Sequence, residues 1–189
     1  RLMPSDIEAV SGVIVGAGIL LMQLEVPVET VAYAARLAKS HGVTVVLNPA
    51  PAPADTLPPE LLENVDILIP NRTELEMISG HDCSGSVDEA VESLAGIGVG
   101  TLVVTLGSKG ALICRNGERR LMPAFKVKPV DTTAAGDTFC GALCVALAEG
   151  RPIDEAVTFG NLAASITVTR AGAQNAIPTR AEVDRAASL

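Results

Sequence analysis

Residues 130–142 read VDTTAAGDTFCGA, and this stretch decides how the rest of the chain is read. Its first half has no apolar periodicity, whereas residues 134–149 form a small-residue run with helical character. A loop that opens into a helix presents backbone N–H groups without intrahelical partners at the positive end of the helix dipole. That arrangement suits an anion such as a phosphoryl group. Ala134, Ala135 and Gly136 are nearly devoid of side chain, so a ligand can approach the main chain closely, and Asp137 sets a carboxylate beside the same anion hole. Capping is the plain alternative, because Asp131, Thr132 and Thr133 are all good N-cap residues and an Asp in a first turn stabilises a helix. Capping needs only one such residue, however. The nonamer DTTAAGDTF has a cap, three small residues and a second Asp followed by Thr138.

Composition narrows the fold. With 189 residues, the chain has the length of one sizeable domain, expected over 1–189. Hydrophobic residues make up 48% and aromatic ones 2%, so the core has to come from Ala, Val, Leu and Ile in alternating segments, which predicts an α/β fold. A formal net charge of −8, one Tyr and no Trp argue against a nucleic-acid partner, which calls for basic surface and stacking aromatics. Cys83, Cys114, Cys140 and Cys144 form no CxxC pair, and we expect core thiols in a reducing cytosol. The sixteen uncharged residues from 9 to 24 are too short, and too often interrupted by Ser, Gly and Gln, for a membrane span. A soluble chain is expected.

Along the chain, a helix start is expected in the first dozen residues and a buried strand over 19–24, with Glu25 following it. A carboxylate there lies where open α/β sheets bind ligands, or else marks the water line. A helix over 27–40 and a β-branched strand over 43–47 follow, then the stiff NPAPAP of residues 48–53, a short helix over 58–64 and a strand within 65–70. Asn71 and Glu74 have the spacing of a capping box or of a functional pair. Beyond them we expect a helix over 86–97, a strand over 101–105, the glycine loop LGSKGA and a hairpin of 111–115 with 118–122 about Asn116–Gly117. Residues 125–129 look strand-like, and another helix is expected over 152–169.

DTTAAGDTF resembles the signature of the ribokinase (PfkB) family of carbohydrate kinases, and AAGD is nearer to ribokinases than to fructokinases. MQLE (22–25), NPAP (48–51), the NxxE pair Asn71 and Glu74, TLGSKG (105–110) and TRAGAQ (169–174) are similar to further family segments. The resemblance implies a ribokinase-like, mostly parallel doubly wound sheet with an antiparallel edge hairpin. It also implies transfer of the ATP γ-phosphate to a pentose primary hydroxyl, D-ribose being favoured over another sugar or a nucleoside. Asp137 would be the base, the amides of Ala134, Ala135 and Gly136 would stabilise developing charge, and Glu25 would contact the sugar. Asn71, Thr105, Gly107, Ser108, Gly110, Gly136 and Asn161 would bind ATP, although an ordinary helical Asn explains Asn161 as well. Glu74 would act on Mg²⁺ indirectly, with Arg72 adding positive charge near the phosphates. Oxygens of Asp131, Thr133, Thr167, Arg170 and Gly172, and the position of Ala176, would surround K⁺.

The resemblance covers nearly all of the chain but only the C-terminal portion of the family fold, Arg1 corresponding to the interior of a family member. Relative to the family, an N-terminal part with further strands, a β lid and most sugar contacts is missing, which predicts an uncovered sheet edge and catalysis impaired more than nucleotide binding. Possible partners are therefore a second copy of the chain or a chain supplying that half, and a non-catalytic nucleotide-binding or pairing role is the alternative function. Hydrolase and dehydrogenase readings lack parts: there is no GxSxG, and neither His41 nor His81 falls in a constellation.

Overall fold

A computed structural model describes residues 1–53 and 56–188. They group into two compact units, one of residues 1–105 with 112–120, the other of residues 106–111 with 121–189.

The first unit is organised by a sheet whose strand order follows the sequence: β1 (Ile19–Met22), β2 (Thr44–Leu47), β3 (Ile67–Leu68), β4 (Thr101–Thr105), β5 (Ala111–Arg115) and β6 (Glu118–Met122). β1 to β4 are parallel, in register Leu21 to Val46, Val46 to Ile67 and Ile67 to Thr101. Connections of five and two residues, too short for a parallel crossover, return β5 and β6 antiparallel. The interior strands are dry: Val45, Val46, Leu47, Leu68, Val103 and Val104 are fully buried. β1 is half-buried throughout and β6 almost wholly exposed, as outer strands of a sheet are.

Helices supply the crossovers. α1 (Pro4–Ala9) and α2 (Ser11–Val15) bury no residue, and Val10 and Val13 are exposed. α3 (Val28–Ser40) turns Val31, Ala34, Ala35 and Ala38 onto the core. Asp66, just ahead of β3, accepts from the Val45 amide at 2.8 Å and pairs with Lys39 at the end of α3, which ties that helix to the sheet. α4 (Pro59–Leu62) is one turn; α5 (Arg72–Ser79) and α6 (Asp88–Ile97) follow β3 and precede β4. α5 ends at Gly80, which takes the left-handed conformation a helix stop requires (φ 72°).

The second unit is built on α7 (Ala135–Ala148), α8 (Ile153–Thr167) and α9 (Arg180–Ala187). α7 and α8 meet at Gly160, where a Cβ would lie 2.9 Å from the Phe139 ring and 3.0 Å from the Phe139 carbonyl oxygen, so only glycine allows the approach. Arg151 and Arg180 stack on Phe159 at 4.8 and 5.4 Å from the ring centre, and Glu149 pairs with both arginines.

The expected elements form, with shorter ends. The strand expected over 19–24 stops at Met22, and the strand within 65–70 is only two residues long. Residues 125–129 do not join the sheet: no strand forms there, and the segment is exposed. None of the four cysteines is in a disulfide; Cys83, Cys114 and Cys140 are buried. Among the described residues, no helix is long and apolar enough to cross a membrane.

Candidate active site

Parallel pairing carries the sequence-selected residues of the first unit to one edge of the sheet. Glu25 lies exposed just beyond β1, Asn71 and Glu74 beyond β3, and Thr105 at the end of β4. The edge is stitched together: the Asn48 side chain donates to the Ile69 carbonyl at 2.7 Å, the Thr105 amide donates to the Pro70 carbonyl at 2.9 Å, and Asn71 bridges to Thr105.

The capping box at Asn71 is complete. Its Oδ1 accepts from the Glu74 amide at 2.9 Å, and the Glu74 carboxylate accepts from the Asn71 amide at 2.8 Å and the Asn71 side chain at 2.7 Å. Burial raises the Glu74 carboxyl above its ordinary range, partly offset by the Asn71 amide. Both Glu74 oxygens are thus engaged, and this donor set fits a cation held through water better than one held directly. Arg72 is not a phosphate-side charge here: its guanidinium donates to the carbonyls of Cys83 at 2.9 Å and Ser84 at 3.3 Å, pinning the loop between α5 and α6.

In the second unit the loop ahead of α7 departs from the capping expectation in a way that favours ligand binding. None of Asp131, Thr132 or Thr133 is the N-cap. Ala134 holds that position in the left-handed region (φ 61°, ψ 7°), and no side chain caps the helix. For alanine this conformation costs on the order of 1 kcal/mol. The Ala135 amide is drawn back to the Thr132 carbonyl at 3.2 Å, which removes it from the expected anion hole. Among the described residues the amides of Ala134, Gly136 and Asp137 meet no acceptor. Space beside them is open, since a Cβ on Gly136 would have no atom within 4 Å. The Asp137 carboxylate is exposed and has no partner among the described residues. Three free amides, a fourteen-residue helix behind them and an unengaged carboxylate fit a phosphoryl group next to a hydroxyl that must lose its proton.

The other expected roles divide. Asp131 accepts from the Thr133 amide (2.9 Å) and hydroxyl (2.7 Å) and from the Gly172 amide (3.0 Å), which together hold its carboxyl below the usual range. Asp131, Thr133 and Gly172 are therefore brought together, and the amides of Val130 and Asp131 converge on the Val168 carbonyl. Thr167 does not face that group. Its buried hydroxyl turns to Thr138 and Ala163, and its carbonyl accepts from the Arg170 amide at 3.0 Å. The Arg170 side chain pairs with Glu182 at 2.6 Å, and Ala176 is buried in a 3₁₀ turn. Of the residues expected around K⁺, only Asp131, Thr133 and Gly172 are joined by direct hydrogen bonds.

Gly107, Ser108 and Lys109 form an exposed 3₁₀ turn. Gly110 is buried at φ 100°, and a Cβ there would lie 2.0 Å from the Met122 carbonyl oxygen. Asn161 donates to the carbonyls of Met122 and Pro123 at 3.1 and 3.3 Å. Gly110 and Asn161 thus converge on the same peptide, so Asn161 is a structural clamp rather than an open nucleotide contact. Sequence reasoning passed over the Thr138–Thr167 pair; the only local hint is a Thr four residues after Ala134, at the spacing of a side-chain bond back to a helix carbonyl.

The model of the pfkB family carbohydrate kinases matches residues 3–180. The ribokinase of Haemophilus influenzae is 48% identical over 165 residues, 86% of this chain and 53% of its own length. Among solved structures, the ribokinase of Thermotoga maritima gives a TM-score of 0.86 at 41% identity and covers 95% of this chain. The ribokinase of Arabidopsis thaliana, complexed with ribose and ATP, gives 0.88 at 35% identity and covers 94%. The chain spans 59% and 58% of those two structures. It is thus similar to between about half and three-fifths of each relative.

Proposed function

Since the chain belongs to the pfkB family of carbohydrate kinases, we propose that it carries the phosphoryl-transfer part of an ATP-dependent kinase acting on a sugar primary hydroxyl, D-ribose being the acceptor and ribose 5-phosphate the product. The observation that carries this reading is the Ala134–Asp137 turn, with its outward amides and unengaged carboxylate. Asp137 takes the proton of the attacking hydroxyl, and the Gly136 and Asp137 amides receive the charge that builds on the transferred group. ATP supplies the phosphoryl group. Asn71 and Glu74 support Mg²⁺ through water, and Glu25 is the sugar-side carboxylate. Four cysteines, none in a disulfide, are in keeping with a reducing cytosol.

A second reading is nucleotide binding or subunit pairing without turnover. ADP release from MgATP, with and without D-ribose, separates the two. Ribose-dependent release that falls at least about 10³-fold in Asp137→Asn supports the kinase. MgATP binding with no release supports the second reading.

A further inference from the structure

Two threonines 29 residues apart in sequence meet behind the Ala134 turn, and neither touches the outward face of the loop. The Ala134 carbonyl accepts twice from Thr138, from its amide at 2.9 Å and from its hydroxyl at 2.8 Å. With its one proton committed there, the Thr138 hydroxyl has lone pairs to offer, and the Thr167 hydroxyl lies 3.1 Å away. Thr167, on the last turn of α8, is fully buried, and Thr138 is 6% exposed. The Thr167 proton is shared with the Ala163 carbonyl, also at 3.1 Å.

We propose that Thr167 is a positioning residue for phosphoryl transfer: through Thr138 it holds the Ala134–Ala135 peptide, and so fixes the direction in which the Gly136 and Asp137 amides are presented. The clamp has two jaws. The carbonyl of this peptide is held by Thr138, backed by Thr167, and its N–H is held by the Thr132 carbonyl at 3.2 Å. A peptide plane gripped at both ends cannot rotate, and this one follows a left-handed alanine that would otherwise relax. Donors aimed in advance at developing charge need no reorganisation during the reaction, so the effect belongs to the turnover step rather than to ground-state binding.

The inference rests on the kinase reading, and its test has one arm that does not. In Thr167→Val, which keeps the shape and removes the hydroxyl, the Thr138 amide should exchange its hydrogen about five- to tenfold faster, while Leu143, deeper in α7, is unchanged. Thr167→Ser should restore the slow rate. If the chain turns over ribose, kcat should fall about tenfold in Thr167→Val, with KM for ATP within twofold of the parent, and recover in Thr167→Ser. Thr138 exchange equal in the parent and in Thr167→Val overturns the proposal, whatever the activity. Altered exchange in a chain with no turnover upholds the clamp and removes the kinase reading alone. Should Thr167→Val not fold, Thr138→Val interrupts the same chain one link nearer the loop, with the Ala135 amide as reporter: unchanged exchange there likewise overturns the proposal.

Discussion

Two glycines in this chain that look alike in sequence carry opposite demands. Gly110 meets the Met122–Ala124 backbone so closely that an added methyl would lie 2.0 Å from a carbonyl oxygen, at a φ of 100° that L-residues avoid. Gly110→Ala should cost more than about 4 kcal/mol, seen as failure to accumulate folded protein or as a large drop in denaturation midpoint. Gly136 faces open space with ordinary helical φ, so Gly136→Ala should keep stability within about 1 kcal/mol of the parent. Its methyl would sit where a phosphoryl group must approach, so turnover should fall on the order of 10²-fold or more; normal turnover in a folded Gly136→Ala would remove the anion hole from this turn. Sequence reading marked both glycines for nucleotide binding, and only packing separates them. The loop that opens into α7 was legible because a loop feeding a helix is a local pattern. Which amide stays free depends on the bond from Ala135 to Thr132, and no spacing rule reports that.

At the scale of elements, α9 is held by charge. Glu182 caps α9 through the Thr179 amide and hydroxyl and pairs with Arg170, while Arg180 reaches Glu149. Arg170 and the Thr179 donors push the Glu182 carboxyl down to about 2, and Arg180 lowers that of Glu149. Carboxyls lowered in the folded state bind fewer protons than in the unfolded chain, so they contribute stability above their ordinary value of 4.5 and lose it as pH falls through the folded values. Protection of the α9 amides, measured against their intrinsic exchange rates, should fall between pH 4.5 and about 2, ahead of protection in β2 and β4; protection in all three falling together would mean that α9 has no separate acid lability. The amphipathic and β-branched segments of the chain were readable from sequence, since period and branching are carried by neighbours. Residues 125–129 were not: their alternation resembles a strand, yet strand formation needs a partner edge, which a single segment cannot announce.

For the whole molecule, the order β1 to β4 explains why distant residues share one sheet edge. Parallel strands that rise in the same direction deliver Glu25, Asn71 and Thr105 to the same side without any of them being neighbours in sequence. Cys83 lies between α5 and α6, Cys114 on β5 and Cys140 and Cys144 on α7, and burial pushes Cys114 and Cys144 up to about 11 and raises Cys83 as well. Reaction with a soluble disulfide reagent at pH 7.5 should therefore be slow for the native chain and reach four equivalents only on unfolding. Rapid native labelling would show that a thiol is reached without unfolding. Such a quiet background has a practical side: one cysteine installed in the exposed turn at 107–109 becomes a fast-reacting handle, and a fluorophore placed there tests whether that turn meets a nucleotide, without any native thiol having been removed.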